Sequence, residues 1–238
     1  MEKEEQQLNW VEQGFAQFSQ ELNSKRPERL KELAVLALPE FLAKGFPTTA
    51  EEDWKFTNLK PYLRKPFIPA REVRDFAPKL LAGAPDFDGR RIVFVDGYAA
   101  RDFAAFDSLK SGLHVFSLAG VLRGDCANKE VTRAVHQHFS RHASADSAPL
   151  INLNTAFLSD GAVVFVGRGC NAESPVHIVF AASEKTADRI SFPRVLVVAE
   201  EGSQVTVVET YLGQHGTRYC TTAVTEIAAE PGAVVDHV

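Results

Sequence analysis

The C-terminal part of the chain repeats a valine-rich pattern at an interval of thirty residues, and this repeat limits the possible folds more than any other feature. Residues 195–208 (VLVVAEEGSQVTVV) and residues 225–238 (TEIAAEPGAVVDHV) are identical at five of fourteen positions. The identical pairs are Ala199/Ala229, Glu200/Glu230, Gly202/Gly232, Val205/Val235 and Val208/Val238. A weaker copy over residues 163–180 keeps only the apolar rhythm. Short strands joined by turns at a fixed period are typical of a β-solenoid, whose coils bury their inward faces against one another.

The sequence ends inside this pattern, on an apolar strand from Val235 to Val238. A solenoid coil is not stable alone and needs a cap, and an unpaired strand edge promotes aggregation. We therefore expect either a truncated solenoid or a solenoid end that another chain covers, and we expect a longer form of the chain to be more soluble. A β-sandwich whose last strand lies at the terminus is the alternative.

The N-terminal part is predicted to be helical. Apolar residues recur there at steps of three and four, which is the spacing of an amphipathic helix. They are Leu8, Val11, Phe15, Phe18 and Leu22. Residues 24–47 fit a second helix, which Pro39 is expected to kink or split and Gly45 is expected to end.

Strands are predicted at residues 90–97 and 112–120, followed by a helix over residues 128–144. The composition changes at about residue 146, because the rest of the chain holds fifteen valines and one lysine. We therefore expect two domains. Residues 1–145 form an N-terminal helical region with a small α/β connector, and residues 146–238 form the repeated strands.

The charge distribution argues against a nucleic-acid partner. The chain has a net charge of -5, and residues 146–238 carry five Lys and Arg against eleven Asp and Glu. Phosphate neutralisation supplies most nucleic-acid affinity, and an acidic surface cannot provide it. No apolar run approaches the roughly 18 residues that a membrane span requires, and the acidic N-terminus is unlike a secretory signal. We therefore expect a cytoplasmic protein with no membrane or nucleic-acid partner.

The three cysteines are predicted to be free thiols. Cys126, Cys170 and Cys220 are odd in number and lie 44 and 50 residues apart, which fits neither a disulfide framework nor a zinc site. A metal or cluster held by two of them in space is the minor alternative.

The histidines lack the neighbours that a metal or catalytic site needs. His138 and His142 have i,i+4 spacing on the predicted helix, but no HExxH glutamate accompanies them. Together with His136 they are expected to lie on a solvated helix face. Surface positions are also expected for His177, His215 and His237.

Two carboxylate pairs, Glu200/Glu201 and Glu184/Asp188, are candidates for a polysaccharide-cleaving site. Both pairs lie at predicted turns, and residues 193–210 lack the aromatic side chains of a sugar-binding groove, so we interpret the pairs as solubilising turn residues. The chain has no P-loop, GxGxxG, GxSxG or kinase motif. The sequence therefore favours a scaffold over an enzyme, and it identifies no catalytic, cofactor-binding or metal-binding residue.

Two stretches resemble a known family. GFPTTAEEDWKFTNLKPYL (residues 45–63) is similar to the N-terminal region of the SufB/SufD family of iron–sulfur cluster assembly proteins, and its Trp-Lys-Phe-Thr segment favours the SufD branch. LNTAFLSDGAVVFVGRGCNAESPVHIVF (residues 153–180) resembles the start of the core that the family shares, and the repeated strands resemble its next turns. The resemblance covers most of the chain from about residue 28 onward.

The resemblance implies an α+β fold, in which an N-terminal helical region is followed by a right-handed parallel β-helix. It implies a non-catalytic scaffold subunit that supports cluster assembly or iron acquisition. This subunit would pair with SufB through the β-helices and with the SufC ATPase through a C-terminal region beyond residue 238. A homodimer is a further expectation. An iron–sulfur cluster would form transiently in the complex, on ligands late in the core, so none is assigned to this chain alone.

Two other functions remain open. A carbohydrate-active β-helix enzyme would cleave a polymer and depend on a carboxylate pair. A purely structural oligomerisation module would associate with itself in the absence of Suf partners. Formation of a complex with SufB and SufC distinguishes the scaffold from both.

Overall fold

The computed structural model describes most of the chain in seven segments. They are residues 2–22, 24–73, 78–87, 90–100, 112–143, 148–183 and 187–238. The predicted domain boundary between residues 145 and 146 lies outside them and stays a prediction. Within these segments, no helix is both long enough and apolar enough to cross a lipid bilayer.

The described residues contain five α-helices and three short 3₁₀ helices. They are α1 (Glu2–Leu22), α2 (Glu28–Lys44), α3 (Leu118–Arg123), α4 (Lys129–His138), α5 (Pro149–Phe157) and the 3₁₀ turns Glu52–Trp54, Tyr62–Arg64 and Pro78–Leu81. The first two confirm the predicted helical N-terminus. Pro39 lies inside α2 without splitting it, and the helix ends at Gly45, whose φ of 73° favours glycine. α4 is shorter than predicted, because the backbone leaves the helical conformation at Phe139.

The described residues also contain twelve strands. They are β1 (Ile68–Pro69), β2 (Arg90–Val95), β3 (Tyr98–Ala99), β4 (Leu113–Ser117), β5 (Gly161–Val166), β6 (Val176–Ala181), β7 (Arg189–Ser191), β8 (Arg194–Ala199), β9 (Gln204–Leu212), β10 (Tyr219–Thr221), β11 (Val224–Ala229) and β12 (Val234–His237). Strands β2 and β4 confirm the two strands predicted for the N-terminal part.

These strands form three sheets, with the orders β1-β7-β10, β11-β8-β5-β4 and β12-β9-β6-β2-β3. The segments that repeat in the sequence pair in parallel at the interval of thirty residues. Val224 lies opposite Arg194 in one sheet, and Val234 lies opposite Gln204 in another. Two pairs are antiparallel, namely β3 with β2 and β4 with β5.

The prediction of an α+β fold with a right-handed parallel β-helix is therefore wrong. The described chain is an α/β protein with mixed parallel and antiparallel sheets. The repeat indicates which C-terminal segments are neighbours, but β2 and β4 from the N-terminal part join the same sheets. The backbone groups along one side of β5 and of β2 are satisfied by an antiparallel strand, where a solenoid would have a further parallel coil.

The core consists of three apolar layers. One lies between the four-stranded and five-stranded sheets and includes Val164 and Val197. The second packs α3 and α4 on the other face of the four-stranded sheet, with Val135 at its centre. The third packs α1, α2 and α5 against the three-stranded sheet, where Phe157 lies near Ile190. The helices thus cover sheet faces that would otherwise be exposed to water.

A buried ion pair connects α5 to the four-stranded sheet. Arg194 on β8 donates from Nη1 to Oε1 of Glu226 on β11 at 2.8 Å, and neither side chain is more than 1% exposed. Arg194 also donates to Oδ1 of Asn154 and to Oγ1 of Thr155, both on α5. A charge in the core requires an opposite charge and hydrogen bonds, and Arg194 has both.

Glu226 also holds the segment that follows α4. Its carboxylate accepts hydrogen bonds from three backbone N–H groups of that segment. They belong to Ser140, His142 and Ala143. On the other side, Nδ2 of Asn154 donates to the carbonyl oxygens of Pro193 and Thr222. One network therefore joins α5, β8, β11 and the segment after α4.

Replacing Glu226 by Gln is expected to lower the free energy of unfolding by about 3–5 kcal/mol, because Arg194 would keep its charge in the core without an opposite charge. Urea unfolding followed by circular dichroism measures this change. Glu32→Gln is the matched control, since the Arg29–Glu32 pair is about half exposed and such pairs contribute about 0–1 kcal/mol. A loss below about 1 kcal/mol for Glu226→Gln would contradict a stabilising role for the network.

Candidate functional site

Each of the three sheets has an edge strand that comes from the C-terminal part of the described chain. β10, β11 and β12 are each the outermost strand of a sheet. In β12 and just after it, the N–H groups of Val234 and Val238 donate towards the β9 side. The alternate residues Val235 and His237 therefore direct their backbone groups to the outer side, where no strand of the described residues pairs with β12. Such an edge can accept a strand from a partner.

Apolar side chains are exposed at the same end. Of the ten large hydrophobic side chains exposed in the described residues, five belong to β9–β12 or directly follow β12. They are Tyr211, Tyr219, Ile227, Val234 and Val238. Exposed apolar side chains on consecutive strands are a feature of many protein contact surfaces. We call β10, β11 and β12 with these five side chains the C-terminal edge.

A polar cluster lies beside the C-terminal edge. The carboxylate of Glu209 on β9 accepts hydrogen bonds from Oη of Tyr211 at 2.5 Å and from Oγ1 of Thr225 at 2.6 Å. Nε2 of His237 lies 2.8 Å from Oε1 of the same carboxylate. The side chain of Glu209 is 5% exposed, whereas that of His237 is 34% exposed. Burial raises the pKa of Tyr211 above its usual value, and the Glu209 charge raises it further.

The histidines near α4 do not all lie on one helix. His138 is the last residue of α4 and His142 lies beyond it, so the predicted i,i+4 spacing on one helix is wrong. His136 and His142 are exposed, as expected for a solvated surface. In the described part of the chain, no three His, Cys, Asp or Glu side chains are arranged to hold a metal ion.

His177 is buried, so its predicted surface position is wrong. The residue is 1% exposed on β6, and its Nε2 lies 2.8 Å from Oγ1 of Thr210. The ring of Phe87 packs edge-on against it with the ring centroids 4.9 Å apart, so this face of the sheet is covered. Burial lowers the pKa of His177 below its usual 6.5, and the positive charge of Arg91 adds to this effect.

The remaining candidate residues are dispersed. His215, in the turn between β9 and β10, and His237, on β12, are both exposed, as predicted. His237 also belongs to the polar cluster. Cys126, Cys170 and Cys220 are free thiols, as predicted, and pack against three different apolar layers.

The described turn carboxylates form ion pairs with basic side chains. The pairs are Glu200–Arg133, Glu201–Arg168, Asp188–Lys65 and Asp188–Arg218. Lys65, and then Arg218, lower the pKa of Asp188 below its usual value. Glu184, the predicted neighbour of Asp188, lies outside the described residues. The contacts of these carboxylates are those of surface turn residues.

Two adjoining cavities lie near α1, with volumes of about 290 Å³ and about 180 Å³. Lys25, Glu72 and Tyr98 line both of them. Lys25 pairs with Glu72, and Arg71 pairs with Glu21, so charges in the wall already compensate one another. The C-terminal edge and its polar cluster are therefore the stronger candidate for a functional surface.

The sequence predictions do not include Glu209, Tyr211 or Thr225. Alternation along β9 does put Glu209 and Tyr211 on one face of the strand, and the thirty-residue repeat makes β12 a neighbour of β9. These signals indicate which strands are neighbours, but they do not indicate which polar side chains are in contact. The contact between Thr225 and Glu209 depends on the distance between β11 and β9, which belong to different sheets.

Acid is expected to destabilise the fold through His177. The unfolded imidazole takes up a proton near its usual pKa of 6.5, whereas the folded imidazole has a lower pKa. The stability that depends on the neutral ring is therefore complete above the unfolded pKa and is lost as the pH falls below it. We expect the melting temperature of the unaltered chain to fall between about pH 7.5 and about pH 5.5, and we expect a smaller fall for His177→Gln.

The matched control for this measurement is His215→Gln, because His215 is exposed in a turn. This variant should show the same drop in melting temperature as the unaltered chain. If His177→Gln also shows that full drop, burial of a neutral imidazole does not contribute to the acid sensitivity.

Comparison with known proteins gives matches along the chain. Residues 2–178 match the sequence model of the SufBD protein N-terminal region. Residues 180–238 match the model of the SufBD core domain of SUF system FeS cluster assembly.

Three curated relatives are similar to the chain. An iron–sulfur cluster assembly SufBD family protein of Synechocystis is 28% identical over 69% of the chain, and Protein ABCI7, chloroplastic, of Arabidopsis thaliana is 23% identical over 82% of it. The iron–sulfur cluster assembly protein SufD of Bacillus subtilis is 32% identical over 36% of the chain. The matched regions span 35%, 41% and 20% of the lengths of these relatives, respectively.

Proposed function

Because the chain belongs to the SufBD family, we propose that it acts as a scaffold subunit in iron–sulfur cluster assembly. The observation that carries this proposal is the match of two consecutive family regions, over residues 2–178 and 180–238. The names of the Synechocystis and Bacillus subtilis relatives assign iron–sulfur cluster assembly to those proteins. The iron–sulfur cluster is then the cargo of the assembled complex and forms there transiently.

A scaffold without turnover of its own is supported by the use of the polar side chains. Arg194 and Glu226 satisfy each other in the core, and the buried Asp160 accepts hydrogen bonds from Ser117 and from two backbone N–H groups. The described turn carboxylates are engaged in ion pairs with basic residues. These polar groups stabilise the fold rather than act on a substrate. The ATP hydrolysis of the assembly machinery would therefore belong to a SufC subunit.

The C-terminal edge is the surface that best fits a SufB partner. Among the described residues its strands are the outermost of their sheets, and its five exposed apolar side chains would be removed from water by a strand-bearing partner. We propose that SufB contacts this edge and that SufC completes the complex. A homodimer through the same edge would compete with SufB.

Co-purification of the chain with SufB and SufC from the same organism tests this function. The double variant Ile227→Lys/Val234→Lys is expected to reduce recovered SufB by about tenfold or more, because lysines on an edge strand oppose strand addition. Val35→Lys is the matched control, since Val35 is 70% exposed on α2. It should leave the recovery of SufB unchanged.

Each outcome is informative. Failure of the unaltered chain to recover SufB would contradict the scaffold function, whereas recovery of SufC is expected to need the region beyond residue 238. Recovery of SufB that is equal for the edge variant and the α2 variant would contradict the role of the C-terminal edge while leaving the scaffold function intact.

A further inference from the structure

Arg26 is a buried arginine without an acidic partner in the described part of the chain. It is 7% exposed, its Nε donates to the carbonyl oxygen of Leu158 at 2.8 Å, and its Nη2 donates to that of Ala156 at 2.7 Å. The buried Arg194, by contrast, is paired with Glu226. Carbonyl oxygens at the C-terminal end of α5 carry only partial negative charge, so they compensate the Arg26 charge in part. A bound anion would offset the remainder.

The Arg26 side chain is held in place with one nitrogen left over for a ligand. Arg26 lines the smaller of the two cavities near α1. Its Nε and Nη2 are engaged by α5, whereas its Nη1 has no hydrogen-bond partner among the described residues. Burial lowers the pKa of Arg26 to about 10, so the guanidinium stays charged at neutral pH. A fixed charge with a free donor is a preorganised site for an anion.

Positive charge is in excess around the smaller cavity. Its described wall contains Lys25, Arg26 and Arg123 against Glu72 and Asp160. Lys25 lies 3.9 Å from Glu72. Oδ1 of Asp160 accepts three hydrogen bonds, and burial raises the pKa of this carboxyl above its usual value. The excess of basic residues in this wall contrasts with the net charge of -5 of the whole chain and favours an anionic ligand.

The larger cavity adds apolar surface beside Arg26. Phe18 and Leu22 of α1 line it together with Ile68 and Pro69 of β1. The Arg26 guanidinium lies 5.3 Å from the centroid of the Phe18 ring, so the charged and the apolar parts are adjacent. Together the two cavities, of about 290 Å³ and about 180 Å³, fall within the roughly 300–1,000 Å³ of ligand pockets. A matching ligand has an anionic head and an apolar body.

We propose that the two cavities together form a binding site for a small monocarboxylic acid with an apolar chain. Its carboxylate accepts a hydrogen bond from Nη1 of Arg26 and lies near Lys25, and its chain lies against Phe18 and Leu22. One free guanidinium nitrogen and one excess charge match a monoanion better than a phosphate, which offers more oxygens and more charge. The site depends on the cavities and Arg26 alone and does not require the proposed assembly role.

Isothermal titration calorimetry with sodium octanoate, below the concentration at which it forms micelles, tests this site. 1-Octanol has the same chain without a charge, and octylamine has the same chain with the opposite charge. We expect the unaltered chain to bind octanoate, to bind 1-octanol about tenfold or more weakly, and not to bind octylamine. The difference measures the hydrogen bond between the charged groups, because the apolar chain is common to all three probes.

Substitutions locate the carboxylate. Arg26→Gln is expected to abolish octanoate binding, and Lys25→Glu is expected to weaken it about threefold or more by reversing a charge of the wall. Lys55→Glu is the matched control, because Lys55 is 56% exposed and lies 3.8 Å from Glu52, much as Lys25 is 65% exposed beside Glu72. This control should bind octanoate as the unaltered chain does. Circular dichroism of each variant verifies that the fold is retained.

The ligand series and the variants each have a contrary outcome. Absence of octanoate binding to the unaltered chain, or equal affinities for octanoate and 1-octanol, would overturn the proposal. Unchanged octanoate binding in a folded Arg26→Gln or in Lys25→Glu would overturn the placement of the carboxylate. If Arg26→Gln does not fold, the three probes and Lys25→Glu still decide the question.

Discussion

Compensation of the Arg194 charge in the core is the constraint on which much of the structure depends. Nη1 of Arg194 is paired with Glu226, and the rest of the guanidinium donates to α5. Glu226 in turn accepts backbone N–H groups from the segment after α4. The position of β11 in its sheet and the course of the chain beyond α4 are therefore coupled by one buried network. Apolar burial supplies the larger share of stability, but it is non-directional, whereas this network allows one arrangement of these elements.

Strand β11 links that network to the proposed contact surface. Because side chains alternate along a strand, Glu226 points to Arg194 while its neighbour Thr225 reaches Glu209 on the other side. On the outer side of β11, no strand of the described residues pairs with it. Strand β11 thus takes part in the buried network, in the polar cluster and in the C-terminal edge. A change at Glu226 would be expected to disturb partner binding indirectly, whereas a change at Ile227 would act on the surface itself.

Much of the local structure could be predicted from the sequence, because it follows from short-range patterns. The apolar stripe predicts α1, and the thirty-residue repeat predicts the parallel partners of β11 and β12. The architecture could not be predicted in this way. Antiparallel pairing of β4 with β5 joins residues about fifty positions apart that share no repeat. The burial of His177 was missed for a similar reason, since Phe87 covers it from outside its own strand. The residues around Glu209 come from three strands, and no spacing within one strand indicates their contact.

We infer that this member of the SufBD family uses β10, β11 and β12, the outermost strands at its C-terminal edge in the described residues, to bind a partner of the assembly machinery. Hydrogen exchange measured by mass spectrometry on the chain, alone and with SufB, tests this claim most directly. We expect slower exchange in the complex for the backbone amides of residues 219–238, including those of Val235 and His237, and unchanged exchange over α2. Protection that is confined to α2, or exchange over residues 219–238 that SufB leaves unaltered, would contradict it.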